Sequence, residues 1–219
     1  MSDHAQAMHL ETSTGLDSRK LAIWTFIGSE CLFFATLISN YLVHKQTWLT
    51  GPGPFPHEVW KSPTGQVFEP IIEIPLVTLG TALLLFSSLF VVLALANAQR
   101  GNRSGLLVWL AATICCGFFF VGMQVYEFTH FVHKGLTLKT NLFGASFFVL
   151  TGFHGTHVTI GVIFLIAIAR KVWRGDFDVE RRGFFTSRKG YYEIVEIMGL
   201  YWHFVDLVWV FIFAFFYLW

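Results

Sequence analysis

The chain has 219 residues, 54% of them hydrophobic and 13% charged, with a mean hydropathy of +0.58, which excludes an ordinary soluble domain and a predominantly disordered chain. Lys and Arg number 15 against 14 Asp and Glu, a net charge of +1, so no basic surface for nucleic acid is available. Cys31, Cys115 and Cys116 all fall in apolar runs; they form neither a disulfide framework nor a metal spacing and read as small packing residues.

In chain order, residues 1–19 form an N-terminal tail carrying Asp3, His4, His9, Glu11 and Asp17 with no apolar run. That is not the build of a cleavable signal, so the first hydrophobic segment is expected to be retained. A bilayer crossing needs about 20 apolar residues, with every backbone polar group bonded internally. Five segments satisfy this, at about 20–44, 74–98, 106–128, 141–170 and 193–219. The predicted fold is therefore all-α, a polytopic five-helix transmembrane bundle over residues 20–219.

The six prolines lie between Pro52 and Pro75. This makes residues 50–70 an irregular loop and places Pro75 in a first helical turn, where its missing N–H costs nothing. The spans are expected to be uninterrupted, which with an odd span number and no repeat speaks against a transporter. Glycines such as Gly28, Gly80, Gly117, Gly161 and Gly199 allow close helix approach. Alternate connections carry eleven Lys and Arg on the side of Arg19 and four on the side of Lys45; this asymmetry predicts the N-terminus inside and the C-terminus outside.

Charged side chains inside hydrocarbon are costly, about 3 kcal/mol each on insertion scales, so each one requires a reason. Glu30 lies about 15 Å into the first span. His154 and His157 share a face of the fourth. Glu196, Gly199, His203 and Asp206 form a stripe on the fifth, because positions i, i+3, i+7 and i+10 of a helix share a face. No Lys or Arg lies inside a span, so Glu30 and Asp206 are neutralised by histidine or by holding their own proton. Trp202 and Trp209 sit deep enough to pack against a neighbouring helix. Gln124, Tyr126, Glu127, His130 and His133 gather at the far end of the third span, where a solvated helix end and a binding site are both readings of the pattern.

On spacing alone the buried groups admit four readings: interhelical hydrogen bonding, a bis-histidine heme site using His203 with His154 or His157, a metal site drawing on the His-x-x-His pair with Asp206 and Glu30, and a proton relay. No phosphate loop, His-Glu-x-x-His motif or nucleophile elbow is present, so no catalytic residue is expected in this chain.

Three stretches carry a resemblance. Residues 144–158 read GASFFVLTGFHGTHV, residues 201–209 read YWHFVDLVW, and residues 28–34 read GSECLFF. Together with QVYEF at 124–128, they resemble subunit III of cytochrome c oxidase and related heme-copper terminal oxidases, over about residues 21–219. The resemblance implies a non-catalytic subunit without a metal or redox centre. Such a subunit is bound to subunit I, whose hemes and copper reduce oxygen to water while protons are pumped. It implies roles in stabilising subunit I, supporting its proton uptake and holding phospholipid. Expected partners are subunits I and II, with subunit IV or a larger respiratory assembly beyond them. The residues carried over are Glu30, Glu127, His154, His157, Trp202, His203, Asp206 and Trp209, none of them a known catalytic group.

One departure is that many members have seven spans, whereas this chain resembles their last five. A lipid cleft of the seven-span kind then requires a wall from another subunit. Five-span forms resemble those of bacterial oxidases, including quinol oxidases, which implies a bacterial inner membrane and leaves cytochrome c and quinol both open as donor. The competing readings are an accessory subunit of a quinol oxidase or nitric-oxide reductase, and a small membrane heme protein.

Overall fold

The computed structural model describes residues 18–48, 60–61, 67–68, 74–175 and 192–218. The tail with His4 and His9, most of the loop between the first two spans, and the basic segment with Arg181, Arg182, Arg188 and Lys189 lie outside them.

Five helices are long and apolar enough to cross a membrane: α1 Ser18–Trp48, α2 Ile74–Gln99, α3 Arg103–His133, α4 Leu142–Arg174 and α5 Tyr192–Ile212. The first three contain their expected spans, the fourth begins one residue later than expected because Asn141 is its cap, and most run several residues beyond the span. Extra turns at a span's ends, where the chain leaves hydrocarbon, add backbone hydrogen bonds without burying polar groups. Two details depart from expectation. Residues 60–61 and 67–68 pair as a two-residue antiparallel ladder inside the proline-rich loop, with Trp60 opposite Phe68. The last span is not uniformly α-helical, since Phe213–Leu218 is a π-helix.

Local chemistry sets the tight turns. Between α2 and α3, Gly101 takes φ +69°, a left-handed conformation that side chains disfavour. Asn102 caps α3 by accepting the Gly105 N–H at 3.1 Å and donates to Asn97 Oδ1 at 3.0 Å. Asn141 caps α4 in the same manner through the Gly144 N–H at 2.7 Å, and α4 ends at Gly175 with φ +73°. Side-chain caps satisfy donors that a helix start leaves unpaired.

In the bundle α3 packs between α2 and α4, while α5 is held by α2, α4 and α1. The first helix is peripheral: among its described side chains only Phe34 and Tyr41 are buried. By contrast α5 with its π-helical end buries Val195, Trp202, Val205, Trp209, Ile212, Phe216 and Tyr217. The core is aromatic. Tyr41 stacks on Phe216 at 3.7 Å, Phe120 meets Trp209 edge-on at 4.7 Å, and Phe131 lies 5.2 Å from Phe147. Large rings fill volume between rods with few rotatable bonds, which suits packing in a solvent as apolar as the side chains themselves.

Candidate functional site

The seam between α2 and α5 holds most of the buried polar chemistry. The two helices run antiparallel, and two indoles of α5 reach hydroxyls of α2. Trp202 donates its Nε1–H to Ser87 Oγ at 2.9 Å, and Trp209 donates to Thr81 Oγ1 at 2.9 Å. Each hydroxyl then donates to its own helix, Thr81 to the Val77 carbonyl and Ser87 to the Leu84 carbonyl. Every donor in these two chains is used, so the seam is polar in composition and closed in chemistry. Replacing Thr81 by valine, which keeps the shape and removes the acceptor, is expected to destabilise the bundle by about 1 kcal/mol. Thr81→Ser should stay close to the parent, as measured by SDS-induced unfolding in mixed micelles.

The indole of Trp202 occupies a slot between α3 and α4. A Cβ built on Gly161 would lie 2.9 Å from Trp202 Cζ3, and one built on Gly117 would lie 3.0 Å from its Cη2. These two glycines are therefore where helix backbones meet a ring face, the close approach expected of small residues in a membrane bundle.

Alongside, Ser88 links Asp206 to His203. Its Oγ lies 2.6 Å from Asp206 Oδ2 and 2.9 Å from His203 Nδ1. Asp206 is buried, with 5% exposure, and its Oδ1 has no hydrogen-bond partner among the described residues. His203 is exposed on the outside of the bundle.

The second polar locus joins α1 to α4. His157 Nε2 lies 3.2 Å from Glu30 Oε2, and its Nδ1 lies 2.7 Å from the carbonyl oxygen of Phe153. A carbonyl only accepts, so Nδ1 carries the hydrogen. The Glu30–His157 contact then holds one proton between its two atoms, and the pair is neutral overall wherever that proton sits. Tyr201 closes the locus from α5, donating its hydroxyl to the His157 carbonyl at 2.9 Å.

His154, one turn from His157, is in a different environment. It is fully buried, stacked on Trp209 at 5.0 Å and met edge-on by Phe120 at 5.8 Å. Neither ring nitrogen has a hydrogen-bond partner among the described residues. The three mid-membrane histidines thus stand in separate surroundings, His154 in a ring cage, His157 against Glu30 and His203 on the α2 seam. No group of three or more His, Cys, Asp or Glu able to hold a metal occurs among the described residues.

At the end of α1 and α5 nearest Arg19, Lys20 Nζ meets Glu196 Oε1 at 2.9 Å and Arg19 meets Glu193 at 3.4 Å. Glu196 therefore belongs to an interface clamp and not to the deeper His203–Asp206 group with which its spacing associates it. At the opposite end Glu127 is buried and accepts the Tyr217 hydroxyl at 2.8 Å. The expected far-end cluster is divided: Gln124 and Glu127 turn inward, whereas Tyr126 and His133 are exposed. Tyr126 stacks on His130 at 6.0 Å.

A groove of about 300 Å³ opens between α3 and α4, lined by Gln124, Thr151, Gly155 and Thr159 among others. Its polar groups are internally engaged: Gln124 donates to the Thr151 carbonyl at 2.7 Å, and Thr159 donates to the Gly155 carbonyl at 2.8 Å.

Thr81, Ser87, Ser88, Tyr201 and Tyr217 are the functional partners that sequence reasoning did not single out. The available signal was antiparallel spacing, with Thr81 and Ser87 six apart on α2 facing Trp209 and Trp202 seven apart on α5.

A five-helix bundle joined by interhelical polar pairs fits the resemblance drawn from the HGTH and WHFVD stretches, and comparison with known proteins decides it. The family model for cytochrome c oxidase subunit III matches residues 3–219. The chain belongs to the cytochrome c oxidase subunit III family. It is 38% identical over 196 residues to quinol oxidase subunit 3 of Bacillus subtilis (strain 168), covering 89% of this chain and 83% of that protein. It is 33% identical over 199 residues to cytochrome c oxidase subunit 3 of Bacillus sp. (strain PS3), covering 90% and 84%. To the probable cytochrome c oxidase subunit 3 of Rickettsia prowazekii it is 34% identical over 213 residues, covering 96% and 72%. As a family member it is a membrane protein of bacterial type and part of a multi-subunit terminal oxidase.

Proposed function

We propose that this chain is the non-catalytic subunit III of a proton-pumping heme-copper oxidase in a bacterial inner membrane, with its N-terminus inside. It packs against subunit I, which holds the hemes and copper, and works beside subunit II. Its contribution is mechanical: a stiff bundle that steadies subunit I during turnover and so sustains proton uptake there. The observation that carries this reading is the Glu30–His157 contact together with the closed Trp202–Ser87 and Trp209–Thr81 bonds. These tie α1 to α4 and α5 to α2 at mid-membrane.

Both cytochrome c and quinol oxidases appear among the relatives, and the 38% identity to a quinol oxidase subunit favours quinol as donor. Phospholipid is a further ligand on this reading, with another subunit supplying the cleft wall.

The test is affinity purification of the tagged chain from its own membranes. Oxygen consumption, heme and copper are expected in the copurified assembly, and a pyridine hemochrome spectrum of the separated chain is expected to be blank. Stoichiometric heme on the separated chain would overturn the reading. His203→Ala and Asp206→Ala are expected to shorten the time over which the assembly stays active during turnover. Normal copurification with inactivation at the parental rate in both variants would remove the stabilising role.

A further inference from the structure

His203 is anomalous among the mid-span polar groups, because it faces out of the bundle. It lies ten residues past Glu193 in a span that runs to Leu218, hence about 15 Å from that end. Exposed apolar side chains share its two helices, Leu207 one turn on at 55%, and Leu85 at 48% and Leu89 at 52% in the turn of α2 that holds Ser88. Its Nδ1 is occupied by Ser88, and Nε2 has no partner among the described residues.

The Asp206–Ser88–His203 chain fixes what Nε2 offers. Ser88 has one hydroxyl hydrogen and can give it to Asp206 or to His203. If Asp206 is ionised, Ser88 donates to it and Nδ1–H donates to Ser88; the group is then neutral overall only if Nε2 also carries hydrogen. If Asp206 holds a proton, it donates to Ser88, Ser88 donates to Nδ1, and the single ring hydrogen is again on Nε2. A net charge in hydrocarbon is strongly disfavoured, and both of these neutral arrangements point an N–H outward; a third, with the proton on Asp206 Oδ1 and Nδ1–H donating to Ser88, buries an O–H that has no partner among the described residues and is disfavoured for that reason. An N–H left unpaired in hydrocarbon is strongly disfavoured.

Lipid does not supply the missing acceptor at that depth. Headgroup and ester oxygens stay at the edges of the roughly 30 Å hydrocarbon layer, and acyl chains accept nothing. A neighbouring transmembrane helix can bring a hydroxyl, amide, carboxylate or freed carbonyl oxygen to mid-membrane.

The geometry points to the α2–α5 seam around His203 as a docking site for a transmembrane helix of another subunit, which accepts the Nε2–H of His203 through a side-chain or backbone oxygen. The inference rests on the chain working inside an oxidase assembly. The flanking leucines supply the apolar rim, and His203 supplies register, because a mid-membrane hydrogen bond is satisfied at one depth only.

The experiment uses the assembled oxidase in nanodiscs of phosphatidylethanolamine and phosphatidylglycerol, with Leu207→p-benzoylphenylalanine as the photo-reactive probe one turn from His203. Irradiation is expected to join it to a membrane-spanning peptide of another subunit. Adding His203→Leu should lower that yield, and retention of the subunit in detergent, about threefold to tenfold. His203→Gln, which keeps an N–H, should recover most of the loss. Labelling confined to lipid or to a second copy of this chain overturns the docking site, as does an unchanged yield in His203→Leu. In those cases an oxidase that copurifies intact leaves the proposed function standing, whereas a chain that brings down no oxidase overturns both.

Discussion

Gly161→Ala lowers the stability of the bundle by about 1–3 kcal/mol, although alanine is the better helix former by about 1 kcal/mol in a soluble helix. Sterics decide the sign. The added methyl would lie 2.9 and 3.0 Å from two carbons of the Trp202 ring and 3.2 Å from Tyr201 Cε1, closer than carbon atoms pack. The ring has little room to retreat. A Cβ built on Gly117 would lie only 3.0 Å from Trp202 Cη2, and the indole nitrogen is held by Ser87 at 2.9 Å. Displacing it therefore loosens α5 from α2, α3 and α4 together. Gly122→Ala is the control, since a Cβ there meets nothing within 4 Å, and it should be neutral. In a double-mutant cycle, Trp202→Phe should relieve part of the Gly161→Ala cost, with a coupling of about 1 kcal/mol. Additive effects by SDS-induced unfolding would show that the slot is not the cause.

The unevenness of what the sequence discloses follows from the same physics. The five helices are legible because a bilayer tolerates few backbone arrangements, so hydropathy and length nearly determine them. Glu30 and Asp206 stand out because charge in hydrocarbon is rare. Their partners are another matter. Glu30 had three mid-membrane histidines to choose from, and pairing with His157 depends on α1 lying against α4, a neighbour relation that no local pattern encodes. Ser88 is chemically ordinary in a sequence, and becomes the bridge between Asp206 and His203 through helix rotation alone.

Helical periodicity also groups residues that interhelical geometry separates. Glu196 shares a stripe with His203 yet pairs with Lys20 at the helix end. Gln124 and Glu127 turn inward, away from exposed Tyr126 and His133. The π-helical close of the last span is equally hidden, because hydropathy does not distinguish its hydrogen-bond pattern from an α-helix. Yet it is there that Phe216 and Tyr217 are both buried, one stacked on Tyr41 and the other bonded to Glu127.

The Glu30–His157 pair is expected to respond asymmetrically to substitution, because only one of its members leaves an acid behind. His157→Leu strands the Glu30 carboxyl between α1 and α4, and the loss should be about 3 kcal/mol, comparable to inserting a lone charge at a helix centre. Glu30→Leu strands an imidazole whose Nδ1–H still bonds Phe153, and should cost about 1 kcal/mol. Glu30→Gln keeps a hydrogen bond to Nε2 and should cost less. The double variant Glu30→Leu with His157→Leu should come back close to the parent, since a matched apolar pair replaces a buried polar one without leaving any group unsatisfied. Stability is read by SDS-induced unfolding, and oxygen consumption and inactivation of the assembly are read alongside it. If the pair only ties α1 to α4, the double variant keeps both parental turnover and parental inactivation. A double variant that is stable and yet pumps or consumes oxygen several-fold more slowly would mean that the shared proton takes part in the reaction, and the mechanical account of this subunit would have to be given up.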